Sequence, residues 1–201
     1  MNFNEWLALA SVCLLGAVSP GPSLFVILRA AIHGGRWLGV VTGIAHALAV
    51  AIYAVGAIVV LSGVLAVGEG ALMAVQAVGI IWLLKLSWGL WHSRAGRMDI
   101  STSASIRDGF LIAFLNPKML AFFLAVFSPF VTSDGGFQRN LVLVATPAII
   151  DGVWYSMAAV VLSTAAMRQA LLARAVWLNR AMAVVLASIA VMISYRLLAN
   201  L

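Results

Sequence analysis

Six stretches of this chain stay apolar for about as long as a helix must to cross the hydrocarbon core of a bilayer, and that property removes most folds from consideration. They cover approximately residues 6–28, 38–61, 71–91, 108–131, 140–166 and 181–198; a spanning helix needs about 20 residues at about 1.5 Å each. With 64% of 201 residues hydrophobic and 9% charged, a soluble domain of this size would have no interior large enough to hide them, so lipid must be the solvent. A segment crossing lipid has to satisfy its own backbone hydrogen bonds, which runs of this length do as helices. The expected fold is an all-α integral membrane protein of six transmembrane helices, a single membrane domain over residues 1–201.

The remaining residues set orientation rather than chemistry. A formal charge of +6 would suit nucleic acid if the cations formed a stripe, but they are scattered over short connections, so no nucleic-acid partner is expected. Arg29, Arg36, Arg94, Arg97, Arg107, Arg168, Arg174 and Arg180 fall in the first, third and fifth connections, and only Arg139 and Arg196 on the other side, beside Glu5, Glu69 and Asp134. By the positive-inside rule this places the three Arg-bearing connections in the cytoplasm and both termini outside. The first residues, Met1 to Glu5, lack the positive region of a signal peptide, so the first run is expected to be kept as a span. Cys13 is the lone cysteine, which excludes a disulfide framework or thiolate cluster. No metal-ligand cluster, nucleophile–base pair or phosphate loop can be read, and Gly68-Glu69-Gly70 is too short for a nucleotide. The chain is therefore expected to be no enzyme and to carry no metal or cofactor.

Two of the runs are interrupted. The first contains Ser19-Pro20-Gly21-Pro22-Ser23, and the fourth, introduced by the capping-box pattern Ser105-Ile106-Arg107-Asp108, contains Asn116-Pro117-Lys118. Pro20 lies nine residues before Arg29 and Pro117 nine after Asp108, which puts each about 13 Å from the cytoplasmic edge of a core about 30 Å thick. Proline removes a helical hydrogen bond, and a lysine at this depth costs several kcal/mol unless paired or hydrated. Broken backbone persists in a membrane only where protein or a water-lined cavity satisfies it. Taken three and three, the spans form halves over approximately 1–91 and 105–201 that must run in opposite directions. Interrupted spans at corresponding places of two such inverted repeats point to a transporter's binding site.

Other polar residues share this depth. His46 lies ten residues after Arg36 and Asp151 twelve after Arg139, so Lys118, Asp151 and His46 can meet in one layer about 15–18 Å into the membrane. Asp151 is the acid well inside a span and the natural partner of Lys118, either at a site or as a static ion pair. A lone histidine on an apolar helix reads first as a hydrogen-bonded packing residue. Tyr155, four residues past Asp151, shares its helical face. Lys85 can reach the cytoplasmic interface, and Gly35, Gly39 and Gly43, spaced by four, would let two helices approach closely.

Ser19-Pro20-Gly21-Pro22-Ser23 with Gly34-Gly35-Arg36 and Gly39 to Gly43, then Val78-Gly79-Ile80-Ile81-Trp82-Leu83-Leu84 with Gly89, then Leu115-Asn116-Pro117-Lys118 with Phe122-Phe123-Leu124, resemble the lysine exporter superfamily, in particular its homoserine/threonine-exporter branch. The likeness covers most of the first 131 residues; Ser128-Pro129-Phe130 and Lys85 depart from the family's pattern. The resemblance implies an exporter of amino acids or close analogues in the bacterial inner membrane, driven by a proton or membrane-potential gradient, with Pro20, Gly21, Pro22, Asn116, Pro117 and Lys118 in the transport core. Ser23, His46, Asp151 and Tyr155 complete the candidate site. The expected mechanism is alternating access, with the broken helices offering amides to the substrate carboxylate and carbonyls to its ammonium, Lys118 pairing with that carboxylate or with Asp151, and Asp151 taking the ammonium or a coupling proton. A homo-oligomer is compatible with the chain. Two other readings stand beside this one: export of an inorganic cation, which would want clustered carboxylates, thiolates or histidines, and a structural membrane protein without transport.

Overall fold

The computed structural model describes residues 1–93, 104–132 and 136–199, without the side chains of residues 117, 118, 120, 121 and 196. Arg94, Arg97 and Asp134, and the side chains of Pro117, Lys118 and Arg196, therefore lie outside the described residues. Among those described, every regular element is a helix: α1 Phe3–Val18, α2 Pro22–Gly34, α3 Arg36–Val67, α4 Glu69–Trp91, α5 Ile106–Phe114, α6 Pro117–Phe127, α7 Phe137–Val161 and α8 Ala165–Ala199. Four of them, α3, α4, α7 and α8, are long and apolar enough to cross a membrane. The pair α1 and α2, bent by 58°, supplies a fifth if taken as one broken span. The remaining expected span, 108–131, is divided between α5 and α6, of 9 and 11 residues. Large apolar side chains such as Leu48, Ile52, Val59, Ile81, Val153 and Val191 project from the helices with no protein neighbour to cover them, as lipid-facing surfaces do.

Local chemistry accounts for the ends. Glu5 N–H donates to Asn2 Oδ1 (2.8 Å) and Asn2 N–H to Glu5 Oε2 (2.9 Å), a reciprocal capping box at the start of α1. The box expected at Ser105 is present too, Ser105 N–H donating to Asp108 Oδ2 at 2.7 Å. Gly35 (φ 86°) and Gly68 (φ 132°) stand before α3 and α4, in backbone conformations closed to residues with a Cβ. Two expected connections are shorter than anticipated. Residues 62–67 continue α3, and residues 167–180, assigned to a loop on account of Arg168, Arg174 and Arg180, belong to α8. Charge ends an apolar run without ending a helix; alanine-rich sequence carries α8 on.

α3 and α7 pair most extensively and form the centre, α4 lies against α8, and α3 also receives α2, α5 and α6, while α1 packs on α7 and α4 on α6. The central seam is built from small residues. A Cβ on Gly39 would stand 2.8 Å from the Ala159 side chain, one on Gly43 3.0 Å from that of Tyr155, and one on Gly152 3.3 Å from Ala47. Two of the three glycines expected to serve a close approach thus do so, whereas Gly35 is the turn before α3. α7 runs unbroken through Pro147. The tightest crossing joins α5 to α3, where a Cβ on Gly109 would lie 2.5 Å from the Thr42 carbonyl oxygen. Gly109→Ala should therefore destabilise the protein by about 1–3 kcal/mol through overpacking, seen as a lower melting temperature in detergent. Gly56→Ala, with open space around the position, should leave melting unchanged or raise it slightly.

Candidate functional site

Each proline break leaves carbonyls that the helix cannot satisfy. At the first, Ser19 is extended (ψ 118°), Gly21 is extended before Pro22, and Pro22 opens α2 where its missing N–H costs nothing. At the second, Pro117 cannot donate to the Ala113 carbonyl, which accepts from Asn116 N–H instead at 3.1 Å. The Phe114 carbonyl accepts from the Tyr53 hydroxyl on α3. Such cross-helix donors are how a membrane protein tolerates interrupted backbone.

Both breaks open on one cavity of about 220 Å³. Ser19 and Gly21 line it from the first break, Asn116 from the second, Ser23 from α2, His46 and Val50 from α3, and Pro147, Asp151 and Tyr155 from α7. Cys13, Gly16 and Ala17 of α1, Leu86 and Leu90 of α4, Met119, Phe122 and Phe123 of α6 and Met182 of α8 complete the wall. Of the residues singled out from sequence, Gly21, Ser23, His46, Asn116, Asp151 and Tyr155 are brought together here. Pro20 shapes the break without lining the cavity, and Pro22 faces a separate hollow with Arg29 and Asp108. The Pro117 and Lys118 side chains lie outside the described residues; their backbone forms the first turn of α6.

The polar centre of the cavity is a pair. His46 Nδ1 lies 2.7 Å from Asp151 Oδ2, both residues being buried at 2% and 7% exposure while lining the cavity, so each is the other's protein partner. The expectation for Asp151 looked to Lys118; its described partner is His46, on the facing helix of the central seam. The bond joins Nδ1 to the Asp151 carboxyl group, and Nε2 is the second polar atom of the ring. Among the described residues Nε2 has no hydrogen-bond partner. The Tyr155 ring meets the His46 ring edge-on at 4.8 Å, and the Tyr155 side chain faces Ser23. These contacts fix the ring plane of His46, so that its second nitrogen has a set direction.

One functional candidate was not read from the sequence. Asn179 of α8 is 4% exposed; its Oδ1 accepts from the Ser19 hydroxyl at 2.6 Å and its Nδ2 donates to Ser93 Oγ at 3.2 Å. It ties the first break to α8 and to the end of α4. Asn179 had been assigned to a polar connection, yet Ala175, Asn179, Met182, Leu186, Ala190 and Ile193 are all buried, at the helical spacing that would have extended the core stripe of α8. Asn179→Ala should cost about 1 kcal/mol by removing the acceptor of the part-buried Ser19 hydroxyl; detergent melting checks this, and Ser19→Ala in the same background should add little.

Comparison with known proteins agrees with this architecture. The family description "LysE type translocator" matches residues 14–197. An uncharacterized membrane protein of Vibrio cholerae is 29% identical over 171 residues, 76% of this chain and 78% of that one. The uncharacterized membrane protein YahN of Escherichia coli is 26% identical over 163 residues, 76% of this chain and 72% of that one. No solved structure matches. With a family match over nearly its whole length and several helices apolar enough to span a bilayer, the chain belongs to the LysE type translocator family and is a multi-pass membrane transporter.

Proposed function

We propose that this protein exports amino acids or close analogues across the bacterial inner membrane by alternating access. The observation that carries the reading is the meeting of both helix breaks and the His46–Asp151 pair at one cavity. α2 and α6 both begin there, each at the positive end of its helix. Both open on proline and Met119 N–H donates to the Asn116 carbonyl, so it is the dipole and the remaining first-turn amides that would favour an anion. A carboxylate is the group that such a pair of half-helices would hold. In this reading a neutral His46 donates through Nδ1 to an ionised Asp151, and its Nε2, with negative charge behind it, accepts from the substrate ammonium. An amino-acid zwitterion presents both groups together.

Lys118, whose backbone lies in the first turn of α6, is assigned in this proposal to the substrate carboxylate, and Asp151 with His46 to the coupling proton when the ammonium has left. The packing supports six spans as two inverted repeats in part: α1 lies on α7 as α5 lies on α3, α2 meets α7 as α6 meets α3, and α3 with α7 and α4 with α8 are the pairs that such symmetry maps onto themselves, while the packing of α2 on α3 and of α4 on α6 has no counterpart of similar extent. The arginine distribution supports cytoplasmic first, third and fifth connections, with both termini outside. An inorganic cation is less suited to this cavity, since a hard or soft metal wants several converging ligands and no group of three His, Cys, Asp or Glu converges among the described residues.

Proteoliposomes preloaded with a mixed amino-acid pool should lose part of that pool faster than protein-free vesicles. Asp151→Asn and Lys118→Gln, checked for folding by size exclusion and circular dichroism, should each slow this loss at least about tenfold, the effect of removing one charge-assisted contact. Wild-type vesicles that retain every amino acid, or two variants as fast as wild type, would refute the assignment.

A further inference from the structure

The cavity is not uniformly polar, and its two walls come from different parts of the fold. Ser23, His46, Asp151 and Tyr155 stand on α2, α3 and α7, which pack on one another. Leu86, Leu90, Met119, Phe122 and Met182 stand on α4, α6 and α8, where α4 packs on both the others. The polar wall borders the cluster around Leu24, Ile27 and Tyr155, while the apolar wall continues into the larger core with Leu83, Phe123 and Leu186. A ligand lying across the cavity therefore has charged groups satisfied on one side and a hydrocarbon surface on the other.

From this we infer, building on the amino-acid reading above, that the transported molecules are neutral amino acids with aliphatic side chains of leucine, isoleucine or methionine size. The polar wall, the two helix starts and Lys118 take up the zwitterion in this reading, and the described side chains that line the apolar wall, Leu86, Leu90, Met119, Phe122 and Met182, carry no charge to compensate a second one. A lysine ammonium or glutamate carboxylate placed there would lose its hydration without a partner. A hydroxylated side chain of the kind suggested by the homoserine/threonine branch, when directed onto the apolar wall, would have its hydroxyl against Leu90, Phe122 and Met182 and away from Ser19 and Asn116 at the breaks. Size agrees. A dry protein cavity of about 150 Å³ accepts benzene, and scaling that to about 220 Å³ gives room for about nine heavy atoms, as in leucine or methionine, and too little for tryptophan.

The test is counterflow of labelled leucine into proteoliposomes of the full chain preloaded with unlabelled leucine, challenged in turn with isoleucine, methionine, threonine, lysine, glutamate and tryptophan. Isoleucine and methionine should compete at concentrations close to that of leucine, whereas threonine, lysine and glutamate should need at least about tenfold more, and tryptophan should not compete. Phe122→Ala enlarges the apolar wall and should bring phenylalanine and tryptophan into competition; Leu90→Ala serves if that variant does not assemble. Threonine or lysine outcompeting leucine, or an assembled wall variant with unchanged selectivity, would overturn this inference and leave amino-acid export standing. Absence of counterflow with leucine, together with no loss of any amino acid from the mixed pool, would overturn both.

Discussion

A backbone hydrogen bond broken inside lipid has no water to turn to, and the architecture follows from where this chain breaks two. At Pro20-Gly21-Pro22 and at Asn116-Pro117 the helical ladder stops, and neighbouring helices bind the chain there: Tyr53 of α3 donates to the Phe114 carbonyl, and Asn179 of α8 accepts from the Ser19 hydroxyl. Those partners oblige α3 and α8 to lie beside the breaks. The same breaks expose two helix starts to a common space, so a cost to stability becomes a place where charge can be held. An unbroken bundle of these sequences would have neither the cavity nor a use for its buried histidine and aspartate.

The central seam between α3 and α7 sets the geometry of that space. Gly39, Gly43 and Gly152 bring the two helices together against Ala159, Tyr155 and Ala47, which is what allows His46 and Asp151 to approach within 2.7 Å. Larger residues at the glycines would separate the pair, and each partner would then be a lone polar group in a dry interior. Close packing and electrostatics are thus one requirement. The alternating access proposed above would ask in addition that some contacts be exchangeable, and the hydroxyl and amide contacts of Ser19, Ser93 and Asn179, neutral and few, are easier to exchange than the glycine seam.

Much of this was legible residue by residue. The apolar runs, the two proline breaks and the Ser105–Asp108 capping box are local, and the rise per residue put His46, Asp151 and Lys118 at similar depth. The extent of α8 was not legible, because Arg168, Arg174 and Arg180 end the apolar run while the helix continues. Asn179 was lost with it. Gly35 belonged by spacing to a packing stripe, and only its positive φ marks it as the turn before α3.

The sequence by itself determined that this protein lives in lipid, that its chain is helical, and at which prolines its helices are interrupted, since hydropathy, helical rise and proline stereochemistry act within one segment. Tertiary structure alone decided which helices are neighbours. His46 and Asp151 are 105 residues apart, and nothing between them encodes their contact; it arises from small residues on two helices fitting face to face. The division of the cavity into a polar and an apolar wall is likewise a property of assembly, because it depends on α2, α3 and α7 gathering on one side and α4, α6 and α8 on the other.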